Sequence, residues 1–293
     1  MNDYARWTML AGWAATGTAV FLILIKVAAV MMTGSASVLA SLTDSLLDLA
    51  ASLANLFALR LAIQPADKEH RYGHGKAEGL AGLAQSAFIS GSCVLLVIHA
   101  VDRIIHPKPV TAPEIGIAVM AVSILATVAL VAFQLWVARK TGSLAVKADS
   151  LHYRSDILMN ASILLALLLA WHGHHNWDGF FALGIAFYIL YSAWEIAKEA
   201  VKSLMDHALS DEEHQKIRQT VESHNDVFGL HDLRTRQAGP TKFIQFHLEL
   251  DDLIPLFQAH KISDQVEAML RIDYPDADIL IHQDPTSVVN KPQ

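Results

Sequence analysis

The chain carries a single cysteine, Cys93, which excludes an internal disulfide and any zinc site built from several thiolates. Charge is scarce as well. Only 17% of the 293 residues are Asp, Glu, Lys or Arg, against 53% hydrophobic, where a soluble globular chain has about 25% charged residues. Nor is there a basic excess. The net charge is −7, so the chain offers no basic face for a phosphate backbone and nucleic acid is excluded as a partner. A His-Glu-x-x-His helix is absent too, and no ligand position is obviously left for water, which argues against a membrane metallohydrolase. What the chain has in quantity is apolar sequence, and with it 15 histidines.

The apolar residues gather into six runs, at about 9–32, 37–63, 79–105, 113–138, 145–171 and 178–201, each long enough for a bilayer crossing of about 20 residues. The first is too long for the core of a signal peptide and lacks a clear small-residue cleavage site, so it reads as a retained span. Residues 1–206 are therefore predicted to form a transmembrane domain, and 207–293 a small soluble one. With six spans, Arg6, Lys68, Arg71, Lys76, Arg139 and Lys140 fall on one side, while Lys108 is nearly alone on the other. The positive-inside rule then puts both termini and the soluble domain in the cytoplasm.

Two of the apolar runs contain ionisable groups. In the second, Asp44 and Asp48 are four residues apart and share a helix face. In the fifth, His152 and Asp156 repeat that spacing. An ionised side chain at the bilayer centre is unfavourable by about 2.5 to 3.5 kcal/mol on insertion scales, so such groups need a partner. A divalent cation held by oxygen and imidazole is one, and this ligand set suits zinc, ferrous iron or manganese. A polar network that only fastens helices together is the other reading. The two runs also match at an offset of 108 residues: Gly34-Ser35 with Gly142-Ser143, Val38 with Val146, Ala40 with Ala148, Asp44 with His152 and Asp48 with Asp156. An odd number of crossings makes them antiparallel, as in the inverted repeats that place a transporter's site at the midplane.

Lys26, His99 and Gln134 are further polar intrusions, read as interhelical hydrogen bonds or interfacial groups, and Arg154 falls on a different face from the two ligands of its run. Asp67, His70 and His74 lie in a turn between spans two and three; these are zinc-ligand types, and the spacing also fits a solvated loop. The opposite-side cluster His172-Gly173-His174-His175 reads as a hydrophilic connector. In the tail, Ser210-Asp211-Glu212-Glu213 predicts a capped helix start. Residues 242–250 alternate, with Ile244, Phe246, Leu248 and Leu250 on one face and His247 and Glu249 on the other. A second helix over about 255–271 and a strand over 278–284 complete an αββαβ pattern. His231, His247, His260, His282 and Asp284 could together make a binuclear metal cluster, or be separate surface residues.

Asp-x3-Asp in span two, His-x3-Asp in span five, the loop Asp67 to Glu78 and the tail segments His231 to Gly239 and Phe246 to Leu250 together resemble the cation diffusion facilitator family. The likeness is greatest to its bacterial zinc and ferrous-iron efflux branch and covers nearly the whole chain. It implies an α-helical membrane protein of six transmembrane helices followed by a small cytoplasmic α+β domain of metallochaperone-like form. It further implies a homodimer in the bacterial inner membrane that exports divalent metal in exchange for protons, without an organic cofactor and not as an enzyme. Carried over by position, Asp44, Asp48, His152 and Asp156 would form the transport site, with His152 the proton-coupling group. Asp67, His70 and His74 would match the loop site, and His231, His247, His260, His282 and Asp284 a binuclear site at the cytoplasmic dimer contact. Lys76 and Asp206 would form a charge interlock between protomers. Asp44, where many zinc-selective relatives carry His, leaves ferrous iron, cadmium and manganese open beside zinc. The alternatives are a membrane-anchored metal sensor without transport, and an ion channel with uncoupled conductance.

Overall fold

The computed structural model describes residues 3–33, 36–105, 114–171 and 178–289. The chain divides into two compact units, Met1–Val201 and Lys202–Gln293.

The first unit is built on six long helices: α1 (Asp3–Thr33), α2 (Ala36–Ala62), α3 (Ala77–Ile105), α4 (Glu114–Thr141), α5 (Leu144–Trp171) and α6 (Asp178–Leu204), the last running a few residues past the boundary. Among the described residues, five segments are long and apolar enough to cross a membrane: Asp3–Met32, Ser41–Ala62, Ala77–Asp102, Ala118–Thr141 and Phe180–Leu204. The remaining helix, α5, has the length, at 28 residues. Its charged and polar residues, Lys147, Asp149, His152, Arg154 and Asp156, crowd its first half. The six expected spans are thus six long helices.

Helix α1 packs on α2 and α4, and α5 packs on α4 and α3. The approach of α1 to α2 depends on Gly12, where a Cβ would stand 2.8 Å from Leu56 Cδ1 and 3.3 Å from Leu59 Cδ1. Gly142, at a positive φ of 70°, makes the short turn from α4 into α5. At the end of the bundle carrying Arg6 and Lys140, Trp7 and Trp136 meet edge to face at 4.7 Å and Lys140 Nζ lies 4.4 Å from the Trp7 ring centre. Such aromatic and basic pairings belong at a membrane–water interface, where one end of the side chain is apolar and the other wet. Leu24, Phe57, Leu125, Phe187 and Trp194 are exposed on the bundle surface, as side chains facing lipid should be.

The second unit runs α7 (Asp211–Glu222), β1 (Gly229–Ala238), β2 (Thr241–Leu250), α8 (Leu256–Asp273), β3 (Asp278–Pro285) and a single turn, α9 (Thr286–Val289). Ser210 caps α7, its Oγ accepting from Glu213 N at 3.3 Å, as the sequence predicts. The sheet order is β1-β2-β3, with β1 antiparallel and β3 parallel to β2. Ile244, Phe246, Leu248 and Leu250 are all buried against Ile217 and Val221 of α7 and Ile262, Val266 and Leu270 of α8. Both helices therefore cover one face of the sheet. The face with His247 is left to the histidines.

The pairing of Gly34-Ser35 with Gly142-Ser143, the loop lysine Lys108 and the cluster His172-Gly173-His174-His175 fall outside the described residues.

Candidate functional site

Helices α2 and α5 bring Asp48, His152 and Asp156 together, with one ligand atom from each lying within 4.8 Å of the others. His152 Nε2 is 3.1 Å from Asp48 Oδ1, and the two side chains are 8% and 20% exposed, so the pair is held largely away from solvent. The His152 ring meets the edge of Phe88 at 5.9 Å. The neighbouring Tyr153 ties α5 to two other helices: its hydroxyl shares a hydrogen bond of 2.6 Å with Ser52 Oγ and reaches Ala15 O at 3.4 Å. One turn before His152, the fully buried Asp149 accepts a 2.6 Å hydrogen bond from Gln134 Nε2 of α4. The backbone frame of α5 is therefore fixed by α1, α2 and α4 at the level where its ligands project.

The trio borders a cavity of about 330 Å³ whose lining includes Lys26, Ser41, Asp44, Asp48, Ser123, Thr127, His152, Asp156 and Asn160. On α2 these residues belong to its first half, on α4 likewise, and on α5 they begin at His152 and run onward. The cavity thus occupies the half of the bundle away from the end bearing Arg60, Lys76 and Arg139. On the other side of the ligands the packing is closed by Ala11, Leu59, Val137, Ala145 and Val146. Asp44 lines the same cavity a turn farther out than Asp48 and is exposed; it does not join the close trio. Arg154 turns away from the site, its Nη2 donating to Tyr188 OH of α6, and His99 bonds back to Leu95 O of its own helix at 2.8 Å.

The loop residues Asp67, His70 and His74 also converge within 4.8 Å. The backbone folds them together: Asp67 Oδ1 accepts from His70 N at 2.6 Å and Glu69 N at 2.8 Å, and Gly73 takes a φ of 79°. His74 Nε2 then lies 3.5 Å from Asp67 Oδ2, with the two imidazole rings 4.6 Å apart. The backbone N–H of His70, foremost, holds the Asp67 carboxyl below its ordinary value, so it is an anion ready to ligate.

In the second unit, sheet register does the work. His231 pairs with His247 across β1 and β2, and His247 with His282 across β2 and β3, so three imidazoles stand in a row with ring centres 5.0 Å and 4.5 Å apart. Asp284 sits two residues beyond His282 on the same face. Its Oδ2 lies 2.7 Å from His247 Nδ1 and 3.3 Å from His231 Nε2, and its Oδ1 lies 3.2 Å from His282 Nε2. A carboxylate facing imidazoles with both oxygens has the form needed to bridge two ions. The hydrogen bond from His247, before any other cause, holds this carboxyl below its ordinary range.

Two more acids belong to this cluster and were not among the sequence candidates. Glu249 Oε1 is 2.9 Å from His231 Nδ1, and Asp232 Oδ2 is 3.8 Å from His247 Nε2. The strand alternation of β2 already put Glu249 beside His247. Asp232 had no such signal, since it stands in a left-handed conformation at the register shift between His231 and Arg234. His260 is not brought to the row: it lies on α8, which packs against the opposite face, and its nearest acid is Asp264 at 3.6 Å. Lys76 precedes α3 in the first unit, while Asp206 belongs to the second, where it accepts from Arg236 Nη1 at 3.2 Å.

The model of the cation efflux transmembrane domain matches residues 12–205, and that of the cation efflux protein cytoplasmic domain matches residues 209–286. The cation-efflux pumps FieF of Yersinia pestis (strain Pestoides F) and Yersinia pseudotuberculosis serotype O:3 (strain YPIII) are each 54% identical over 289 residues, covering 99% of this chain and 96% of the relative. Among solved structures, the metal-bound C-terminal domain of the CzcD transporter from Thermotoga maritima is similar at 21% identity and a TM-score of 0.26, over 29% of this chain and 100% of that one. Matched in both its helical and its mixed α/β portion, and over nearly its full length by pumps of one kind, the chain belongs to the cation efflux family: it is a multi-pass membrane transporter and not an enzyme.

Proposed function

We propose that the protein exports a divalent metal cation from the cytoplasm by alternating access, in exchange for protons. The observation that carries this reading is the trio Asp48, His152 and Asp156 at the inner limit of a cavity that stops at the ligands. Two carboxylates and an imidazole match zinc, ferrous iron, manganese or cadmium better than a monovalent ion. Asp44, one turn out in the same cavity, is the fourth ligand. The ligands must be unprotonated to bind metal, so loading releases protons and an inward proton gradient opposes rebinding. His152 is the coupling group because an imidazole titrates nearest physiological pH.

The basic ends face the cytoplasm of a bacterial inner membrane, with both termini on that side, and the cavity opens away from it. Residues 1–206 carry transport, and 207–293 regulate it. The row of His231, His247, His282 and Asp284 binds cytosolic metal, and His260 completes that site from a second copy in a homodimer. Asp67, His70 and His74 hold a further ion at the loop, and Lys76 with Asp206 locks the protomers together.

The test is zinc flux into proteoliposomes against an imposed pH gradient, with a fluorescent proton readout. Wild-type protein carries zinc and counter-moves protons, and Asp48→Ala carries none. Flux in Asp48→Ala at the wild-type rate would remove the intramembrane site. Zinc flux without proton counterflow would remove the antiport and favour a channel, and a metal-responsive tail with no flux would favour the sensor.

A further inference from the structure

Among the described residues lining the cavity, Lys26 is the lone Lys or Arg. Its Nζ donates to Ser41 O at 3.0 Å and to Ser45 Oγ at 2.7 Å. Both acceptors are on α2, one turn apart, and they bracket the Asp44 level on the open side of Asp48. The ammonium is therefore bonded to helix α2 rather than to a carboxylate, and Asp48, Asp156 and Asp44 are its electrostatic neighbours. A lysine that only neutralised one acid would sit against that acid. This one stands over the approach to all three.

Around a bound divalent ion, three ionised carboxylates leave one negative charge in excess, and the ammonium removes it. The same positive charge repels a cation entering from the open end. It does so where the ligands are partly sheltered, so the effect is felt more strongly than in bulk water.

We propose that Lys26 is a fixed counter-charge that weakens the hold of the transport site on its cation when the cavity is open, speeding release and opposing re-entry from that side. This rests on the transport reading above. It adds a residue that touches no metal and acts through its field.

The experiment uses full-length protein in proteoliposomes, with zinc as the probe, and measures flux while zinc is raised on the release side. In Lys26→Met, release-side zinc halves the flux at about tenfold lower concentration than in wild type, and turnover falls; a unit charge lining the same sheltered cavity as a divalent ion is worth about that much. Lys26→Arg keeps the charge and behaves as wild type. Ser45→Ala removes one tether but not the charge, and stays near wild type too. Unchanged release-side inhibition in Lys26→Met overturns the proposal, as does Lys26→Arg or Ser45→Ala matching Lys26→Met, because that pattern marks a structural tether. If the Met variant is not recovered folded, Lys26→Gln is read by the same criteria. Absence of any wild-type flux is a different result, and removes the transport reading itself.

Discussion

His152 can face Asp48 only while Tyr153, the next residue, holds α5 against α1 and α2. Its hydroxyl is buried with the whole ring and joined to Ser52 Oγ at 2.6 Å. Tyr153→Phe strands the Ser52 hydroxyl in an apolar seam, which costs about 1 to 3 kcal/mol. A drop in the thermal midpoint of the purified protein and a reduced zinc flux are the expected results, and Ser52→Ala in the same background recovers much of the stability. In the second unit, Asp284 sets a pH dependence. Its folded pKa is lowered from 3.8, chiefly by the hydrogen bond from His247, so its contribution is complete above that value and is lost as pH falls through the lower folded one. Hydrogen-exchange protection of β2 and β3 amides should accordingly decline as pH falls below about 4. Asp284→Asn starts lower and changes less over that interval. The ionisable groups of α2 and α5 were legible because the i, i+4 spacing of a helix puts side chains on a common face whatever their surroundings. Asp232 was not, because a bulge breaks the two-residue period from which strand faces are read.

At the level of elements, hydrophobic runs gave the helices but not their ends. The run beginning near residue 9 belongs to a helix that starts at Asp3, and the fourth continues to Thr141. Interfacial residues such as Tyr4, Arg6, Arg139 and Lys140 carry backbone hydrogen bonds as well as apolar ones do, so the helix outlasts its apolar stretch. The charge within α5 is the converse case: the polar first half of this helix is held buried by its neighbours. Close packing then depends on small residues. A Cβ on Gly12 would come 2.8 Å from Leu56 Cδ1, so Gly12→Val forces α1 off α2 and destabilises by about 1 to 3 kcal/mol. Leu56→Ala opens room for the added methyls. The double variant should therefore melt above the sum of its singles, and strict additivity would show that the two side chains do not meet.

At the scale of the whole molecule, the chain is two compact units, each with its own potential metal-binding group, and the groups differ in the physics that assembles them. Asp48, His152 and Asp156 meet because two helices are locked together by packing. His231, His247, His282 and Asp284 meet because strand register aligns them. Register depends on the core beneath, where Phe246 and Leu248 are buried. The two groups should therefore be separable by mutation. His247→Ala removes the central imidazole of the row while leaving the opposite face of β2 packed. In that variant, zinc no longer raises protection of the β2 and β3 amides, an effect worth about 2.7 kcal/mol in wild type at zinc a hundredfold above its dissociation constant, and flux through the intramembrane site persists. Asp48→Ala gives the reverse, no flux and an intact zinc response in the sheet. If either substitution abolished both, the sites would form one cooperative system, and a regulatory tail acting on an independent transport unit would no longer describe the protein.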